Sequence, residues 1–240
     1  MSNSSVSIFS IGSTGLIGSH FLNLALKSGV VKKFITLTRR EPKLDPSITN
    51  KEALQTLVNK DTDSWPEIIK KDVNIDDHST IFSSFGTTRK NAGSAQNFIK
   101  IDHDINVNAF KAAKETGKFD TAVLVSSGGA NKDSYFLYMA TKGKIEQDLK
   151  DLKFKRTIIL RPGMLLGERD VPKGLINDTL VGLGHLIKGT FAQVLLAYPI
   201  EGEEVAKAVL YYVQQPIQKE GEVLSFSSKD MLNLIKEKKL

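Results

Sequence analysis

The chain contains no cysteine, so disulfides and thiolate chemistry are excluded and a reducing compartment is permitted. Histidine is scarce as well. Four occur, His20, His78, His103 and His185, and no two have the helical spacing of a metal-ligating pair, so no metal site is expected. Long apolar runs are missing: the longest, Phe191 to Tyr198, falls far short of the ~20 residues needed to span a bilayer. A secretory leader is not expected either, because the first core strand begins by Val6. The net charge of +6 comes from scattered lysines without an aromatic-interleaved basic stripe, which argues against a nucleic-acid partner. Lys32-Lys33 and the late Lys236, Lys238 and Lys239 read as solvated surface. Repeats and low-complexity tracts are absent too. The expectation is a soluble protein or one attached peripherally to a membrane.

What is present suffices for a full core. With 240 residues, 40% of them hydrophobic, the chain can form one domain, or one domain with a small appendage. Its organising stretch is Val6 to Gly18. Val6 to Ile11 has the length and β-branched content of a buried strand. Gly12, Gly15 and Gly18 follow at a spacing of three, and then a helical pattern carries Ile17, Phe21 and Ala25 on one face with Leu22 and Leu26 beside it. In that context Gly12 permits a tight turn, Gly15 lets the backbone approach a pyrophosphate, and Gly18 lets helix and strand pack closely. The helix N-terminus adds N–H donors and a positive dipole end. An ordinary βα turn would carry the same glycines, so the flanking strand and helix bear the weight of this reading.

A second strand, Phe34 to Thr38, ends in Arg39-Arg40. An acidic residue at that point would select NAD through the ribose 2′-hydroxyl, and Leu37 to Arg40 contains none. Two guanidiniums instead suit a 2′-phosphate, so NADP(H) is the expected cofactor. Further strands are read at Ala53–Val58, Thr80–Phe85, Thr121–Val125, Thr157–Leu160 and Glu222–Phe226. Helices are read from Ser64-Trp65-Pro66 to Lys71, at Ser94–Lys114 and Phe136–Leu152, and after the Ser227-Ser228 cap, with Leu175–Ile187 and Glu203–Val213 as further segments. Phe98, Ile101, Ile105, Ala109 and Ala112 form the inner face of the long helix ending before Gly117. This alternation predicts an α/β fold, a doubly wound parallel sheet with helices on both faces. A strand closing on Gly86-Thr87 would run beneath the cofactor, whose ribose and phosphates those two residues could meet.

Tyr138 and Lys142 lie four apart on a predicted helix and project from one face. A tyrosine ionises near ~10 in water, and a neighbouring ammonium stabilises the phenolate, making proton transfer to or from a substrate oxygen feasible. Lys142 can also hold a nicotinamide ribose. The strand before this helix ends in Ser126-Ser127, and either hydroxyl can bond a reacting carbonyl.

With these features the sequence resembles the short-chain dehydrogenase/reductase superfamily over nearly its whole length, through the glycine turn, Ser126-Ser127, Tyr138-x-x-x-Lys142 and Arg161-Pro162-Gly163. More narrowly, it resembles the atypical branch that holds the human Tat-interacting oxidoreductase and the fungal "found in mitochondrial proteome" proteins. Gly86-Thr87-Thr88-Arg89, Ile101-Asp102-His103-Asp104, Val125-Ser126-Ser127 and Leu166-Gly167-Glu168-Arg169 carry that narrower match, and Val223 to Asp230 fits the fungal group best. The resemblance implies a single Rossmann domain over residues 1–240, with 164–202 as a substrate-side segment rich in leucine, including Leu165, Leu166, Leu183, Leu186, Leu195 and Leu196. It implies NADP(H) bound by Gly12, Ser13, Thr14, Gly15, Leu16, Ile17, Gly18, Arg39, Arg40, Gly86, Thr87, Tyr138, Lys142 and Arg161. It also implies catalysis by Tyr138, Lys142 and Ser126 or Ser127 on an apolar carbonyl or alcohol. A superfamily asparagine is matched here by Asp102 or Asn106. For the fungal members it implies peripheral attachment at the cytosolic face of the mitochondrial outer membrane, with the cytoplasm as the alternative. A rival reading is an NADPH-binding regulatory or scaffold protein.

Overall fold

The computed structural model describes residues 5–167 and 198–240. Seven parallel strands form one sheet in the order β3-β2-β1-β4-β5-β6-β9. They are β1 (Val6–Ile11), β2 (Val31–Thr38), β3 (Leu54–Val58), β4 (Ser79–Ser83), β5 (Phe119–Val125), β6 (Arg156–Arg161) and β9 (Glu222–Ser227). The central strands are apolar without alternation, and Ile8, Phe9, Ile81 and Phe82 are all fully buried. Helices cover both faces of a parallel sheet, so neither side of a central strand meets water.

One layer holds α1 (Leu16–Lys27), α7 (Gly202–Val213) and α8 (Ser228–Lys238). Its core joins Phe21, Phe34, Phe82, Val123, Ile158, Val209 and Met231, with the Phe21 and Phe82 rings 4.4 Å apart. The opposite layer holds α2 (Trp65–Lys71), α5 (Ile105–Glu115) and α6 (Leu137–Asp151), packed over Phe9, Ile35, Trp65, Phe110, Ile145 and Leu149. The chain starts at β1, works outward to β3, then returns to lay β4 on the other side of β1. That reversal opens a crevice between the carboxyl ends of β1 and β4, where ligands of such sheets bind.

The expected helix over 94–114 is present and runs without a break from Ala95 to Glu115, as α4 (Ala95–Ile99), a π turn at Lys100–Asp104 and α5, with a separate short helix, α3 (Arg89–Ala92), before it. Ser94 is the N-cap of α4, accepting from Asn97 N–H at 3.1 Å. The wider turn loosens the backbone ladder, and the Asn106 amide donates to the carbonyls of Ile101 (3.1 Å) and Asp102 (3.3 Å). One extra residue in the turn also rotates Asp102 and His103 into the interior, where both are under a tenth exposed. The expected fourth strand is shorter too, ending at Ser83 and leaving Ser84 and Phe85 in the crevice wall.

Two short strands, β7 (Leu165–Leu166) and β8 (Ile200–Glu201), pair in parallel and bring residues 164 and 200 together. The Ile200 amide donates to the Met164 carbonyl at 2.9 Å. The segment read at 175–187, the leucines from 183 to 196 and Glu168-Arg169 lie outside the described residues.

Candidate active site

The glycine turn closes the end of β1. Gly12 has φ +91°, and a Cβ there would lie 2.5 Å from the Phe85 nitrogen. A Cβ on Gly18 would lie 2.1 Å from the Gly12 carbonyl oxygen. Both positions are therefore closed to any side chain by the protein's own backbone. Gly15 differs: it is exposed, and its nearest neighbour to a Cβ is the Gly12 oxygen at 3.3 Å. Its openness faces solvent, where a ligand would sit. Gly15 is the N-cap of α1, no side chain caps that end, and the first turn holds no acidic residue. The N–H donors and positive dipole end of α1 are thus left for an anion.

Ser13 and Thr36 anchor the turn from within. The Thr36 hydroxyl donates to Ser13 Oγ at 2.7 Å, and Ser13 Oγ lies 2.9 Å from Ser10 Oγ. Ser13 is fully buried, so its hydroxyl holds β1 and β2 together instead of facing the crevice. Any share it has in ligand binding falls to its backbone. Thr14, Leu16, Ile17 and Gly18 complete the turn, with Ile17 and Gly18 buried against the sheet.

Arg39 and Arg40 stand exposed at the end of β2. The Arg39 guanidinium sits over the Phe85 ring at 5.6 Å, and Phe85 meets the buried Trp65 edge-on at 5.2 Å. A flat cation stacked on an aromatic column is presented at the mouth of the crevice. The sequence reading placed Phe85 inside a strand and missed this support. The one available signal was an aromatic residue directly before Gly86.

Across the crevice, α6 carries Tyr138 and Lys142. Tyr138 is 41% exposed, and its ring lies 5.8 Å from that of Phe98. Lys142 is buried, and its ammonium lies 2.8 Å from Asp102 Oδ1. The other oxygen, Asp102 Oδ2, accepts the Thr87 N–H at 2.7 Å. Gly86 packs against the same carboxylate. Of the two alternatives for the superfamily asparagine, Asp102 contacts Lys142. Asn106 is structural: its amide donates to the Phe85 carbonyl at 3.1 Å and it accepts from the Ser83 hydroxyl.

The two serines separate. Ser126 is 6% exposed and donates to Glu146 Oε1 at 2.5 Å. Glu146 is also gripped by Arg161, through Nε to Oε1 at 3.0 Å and through Nη2 to Oε2. That bonding holds the Arg161 guanidinium above its ordinary value, outweighing the effect of burial. Ser126 therefore differs from its expected role at the reacting oxygen, because its hydroxyl is turned into the protein. Arg161, expected at the cofactor, is engaged by Glu146 through Nε and Nη2. Ser127 is half-buried and makes no side-chain hydrogen bond among the described residues. Glu146 was not anticipated from sequence. Its spacing from Lys142 and Leu149 puts it on the buried stripe of α6, a place where an acidic residue needs a partner.

Among the described residues no group of three or more histidine, aspartate or glutamate side chains is arranged to hold a metal, and no helix is long and apolar enough to cross a membrane.

Comparison with known proteins adds the following. Residues 35–182 match the HIM1 family. Protein FMP52-1, mitochondrial, of Scheffersomyces stipitis is 44% identical over 234 residues, covering 97% of this chain and 100% of its own. Protein FMP52, mitochondrial, of Candida albicans is 46% identical over 215 residues, covering 90% of this chain and 91% of its own. Among solved structures, the dTDP-glucose 4,6-dehydratase DesIV of Streptomyces venezuelae, with NAD and TYD bound, superposes with a TM-score of 0.66 at 14% identity, over 98% of this chain and 81% of its own. A short-chain dehydrogenase family protein of Francisella tularensis gives 0.61 at 14%, over 95% of this chain and 99% of its own. At such identities the likeness shows the fold: a Rossmann-like α/β sheet of the kind shared by short-chain dehydrogenases and nucleotide-sugar enzymes.

Proposed function

The chain belongs to the HIM1 family and stands among the FMP52 proteins, and from that premise we propose an NADPH-dependent oxidoreductase that reduces an apolar carbonyl compound. The observation that carries this reading is the Gly86-Thr87 stretch after β4, which joins the glycine-turn crevice to Lys142 through Asp102. An open Gly15 beside the uncapped N-terminus of α1 fits a pyrophosphate. Arg39, stacked on Phe85 with Arg40 beside it, fits a 2′-phosphate. When bound, the reduced nicotinamide supplies the hydride.

The protein's own part is proton handling and orientation. Tyr138 donates its phenolic proton to the substrate oxygen, and the Lys142 ammonium stabilises the phenolate left behind. Ser127 donates a hydrogen bond to the same oxygen and orients it. Glu146 and Arg161 keep Ser126 out of that task and fix the end of β5 against β6. The relatives' names contain "mitochondrial", which supports a mitochondrial location here; peripheral attachment at the cytosolic face of the outer membrane is part of the proposal. The proposal includes kinship with the human Tat-interacting oxidoreductase.

The test is Tyr138→Phe, assayed with NADPH against a panel of aldehydes and ketones. General acid–base catalysis contributes ~10²–10⁴-fold, so turnover falls by about that factor while NADPH affinity stays near wild type. Wild-type turnover in the variant would refute the assignment. A second reading, an NADPH-binding regulatory protein, draws on the internal pairing of Lys142 and Ser126. On that reading Tyr138→Phe retains its cellular effect, while Gly15→Asp, which blocks the phosphate position, loses it.

A further inference from the structure

Asp102 is 1% exposed, and its side chain ties together three separate pieces of chain, its own included. It comes from the π turn, Oδ2 accepts from the Thr87 amide at 2.7 Å, and Oδ1 lies 2.8 Å from Lys142 Nζ on α6. Oδ1 has no well-directed hydrogen bond, although it is buried and negatively charged. It also sits 2.9 Å from where a Cβ on Gly86 would be, so a side chain before Thr87 would displace the carboxylate.

Both of its polar neighbours are donors only, a backbone N–H and an ammonium. A carboxylate accepts from both. An asparagine cannot, because whichever way its amide is turned, an NH₂ faces a donor. A buried charge without its partner is also costly, so Asp102 and Lys142 depend on each other. The ammonium has three protons, and one contact with Asp102 leaves the others for ligands. The pairing draws the lysine toward Gly86-Thr87, the stretch after β4 assigned to the floor of the dinucleotide crevice.

We propose that Asp102 is a positioning residue that holds the Lys142 ammonium against Gly86-Thr87, so that the nicotinamide half of a dinucleotide meets a preorganised cation. This deepens the dinucleotide reading and rests on it. The adenosine half, served by the glycine turn and Arg39, does not depend on Asp102.

The test compares wild type, Asp102→Asn, Lys142→Met and the double variant. Each is measured for its affinity for NADPH and for 2′,5′-ADP, which lacks the nicotinamide ribose, and for its thermal midpoint. Asp102→Asn is expected to weaken NADPH by about tenfold, the scale of one lost charge-assisted contact, and to leave 2′,5′-ADP within about twofold. In the Lys142→Met background, Asp102→Asn changes NADPH affinity by less than about twofold, because neighbours that act as a unit are not additive. There it also raises the thermal midpoint, since it removes an unpaired buried carboxylate. Equal weakening of both ligands, unchanged NADPH affinity, or additive effects would overturn the assignment. Should Asp102→Asn fail to fold alone, rescue of the Lys142→Met midpoint in the double variant supports the pairing, and no rescue refutes it. A wild-type protein that binds neither ligand overturns the dinucleotide reading and this assignment together. One that binds both, with Asp102→Asn indifferent, overturns only the assignment.

Discussion

Gly15 and Gly18 belong to one motif, yet the structure separates their roles, and alanine at each should fail differently. At Gly18 the added Cβ would lie 2.1 Å from the Gly12 oxygen and 2.7 Å from its carbonyl carbon. An ordinary contact is longer by more than an ångström, and the obstacle is backbone held by the end of β4. Overpacking a rigid site costs ~1–3 kcal/mol, here at the upper end, while alanine in a helix interior returns roughly 1 kcal/mol over glycine. The net loss is about 2 kcal/mol, which for a chain of this size lowers the thermal midpoint by roughly 4–8 °C. At Gly15 the nearest atom is 3.3 Å away, the φ of −90° suits any residue, and the site is exposed. Gly15→Ala should therefore lower the midpoint by only about 2–4 °C, the roughly 1 kcal/mol by which alanine is the poorer N-cap, since no backbone blocks its methyl group. It should lose NADPH affinity by about tenfold or more, because the methyl group stands where the pyrophosphate would approach. Scanning calorimetry and fluorescence titration with NADPH measure the two effects. A Gly18→Ala protein that melts with wild type, or a Gly15→Ala protein that binds NADPH normally, would refute the division of labour.

Three further outcomes are expected. Joint Arg39→Ala and Arg40→Ala substitution should erase a preference for NADPH over NADH, and in wild type that preference should shrink with salt, since a 2′-phosphate contact is ionic; equal wild-type affinities by calorimetry would sink the NADP assignment. Ser127→Ala should lower turnover by ~10²-fold with little change in melting, whereas Ser126→Ala should lower stability by about 1–2 kcal/mol by unpairing part of Glu146; the reverse pattern would exchange their roles. In intact mitochondria the protein should be digested by added protease and released by alkaline carbonate, and protection from the protease would exclude the outer cytosolic face.

The fold was legible because its signals are local. Val6 to Ile11 is buried on both sides, and that alone makes it continuously apolar. Gly12 and Gly18 are demanded by contacts within a few residues or with the adjoining strand end. Helix and strand alternation identified the doubly wound sheet, with bounds off by a residue or two at most ends. The π turn was not legible, because a single inserted residue barely disturbs the 3.6-residue periodicity that Phe98, Ile105 and Ala109 establish.

What the sequence determined by itself is therefore the parallel sheet, the glycine turn, the basic end of β2 and the helical pairing of Tyr138 with Lys142. Tertiary structure alone decided which atoms face the crevice. Ser126 and Ser127 are neighbours in sequence, but Glu146, twenty residues on, takes the first and leaves the second open. Arg161 goes to that same carboxylate, and Lys142 to Asp102, forty residues before it. The physical reason is that a buried polar group is directed by the charge or hydrogen bond that satisfies it, and in this fold those partners come from distant strands and helices.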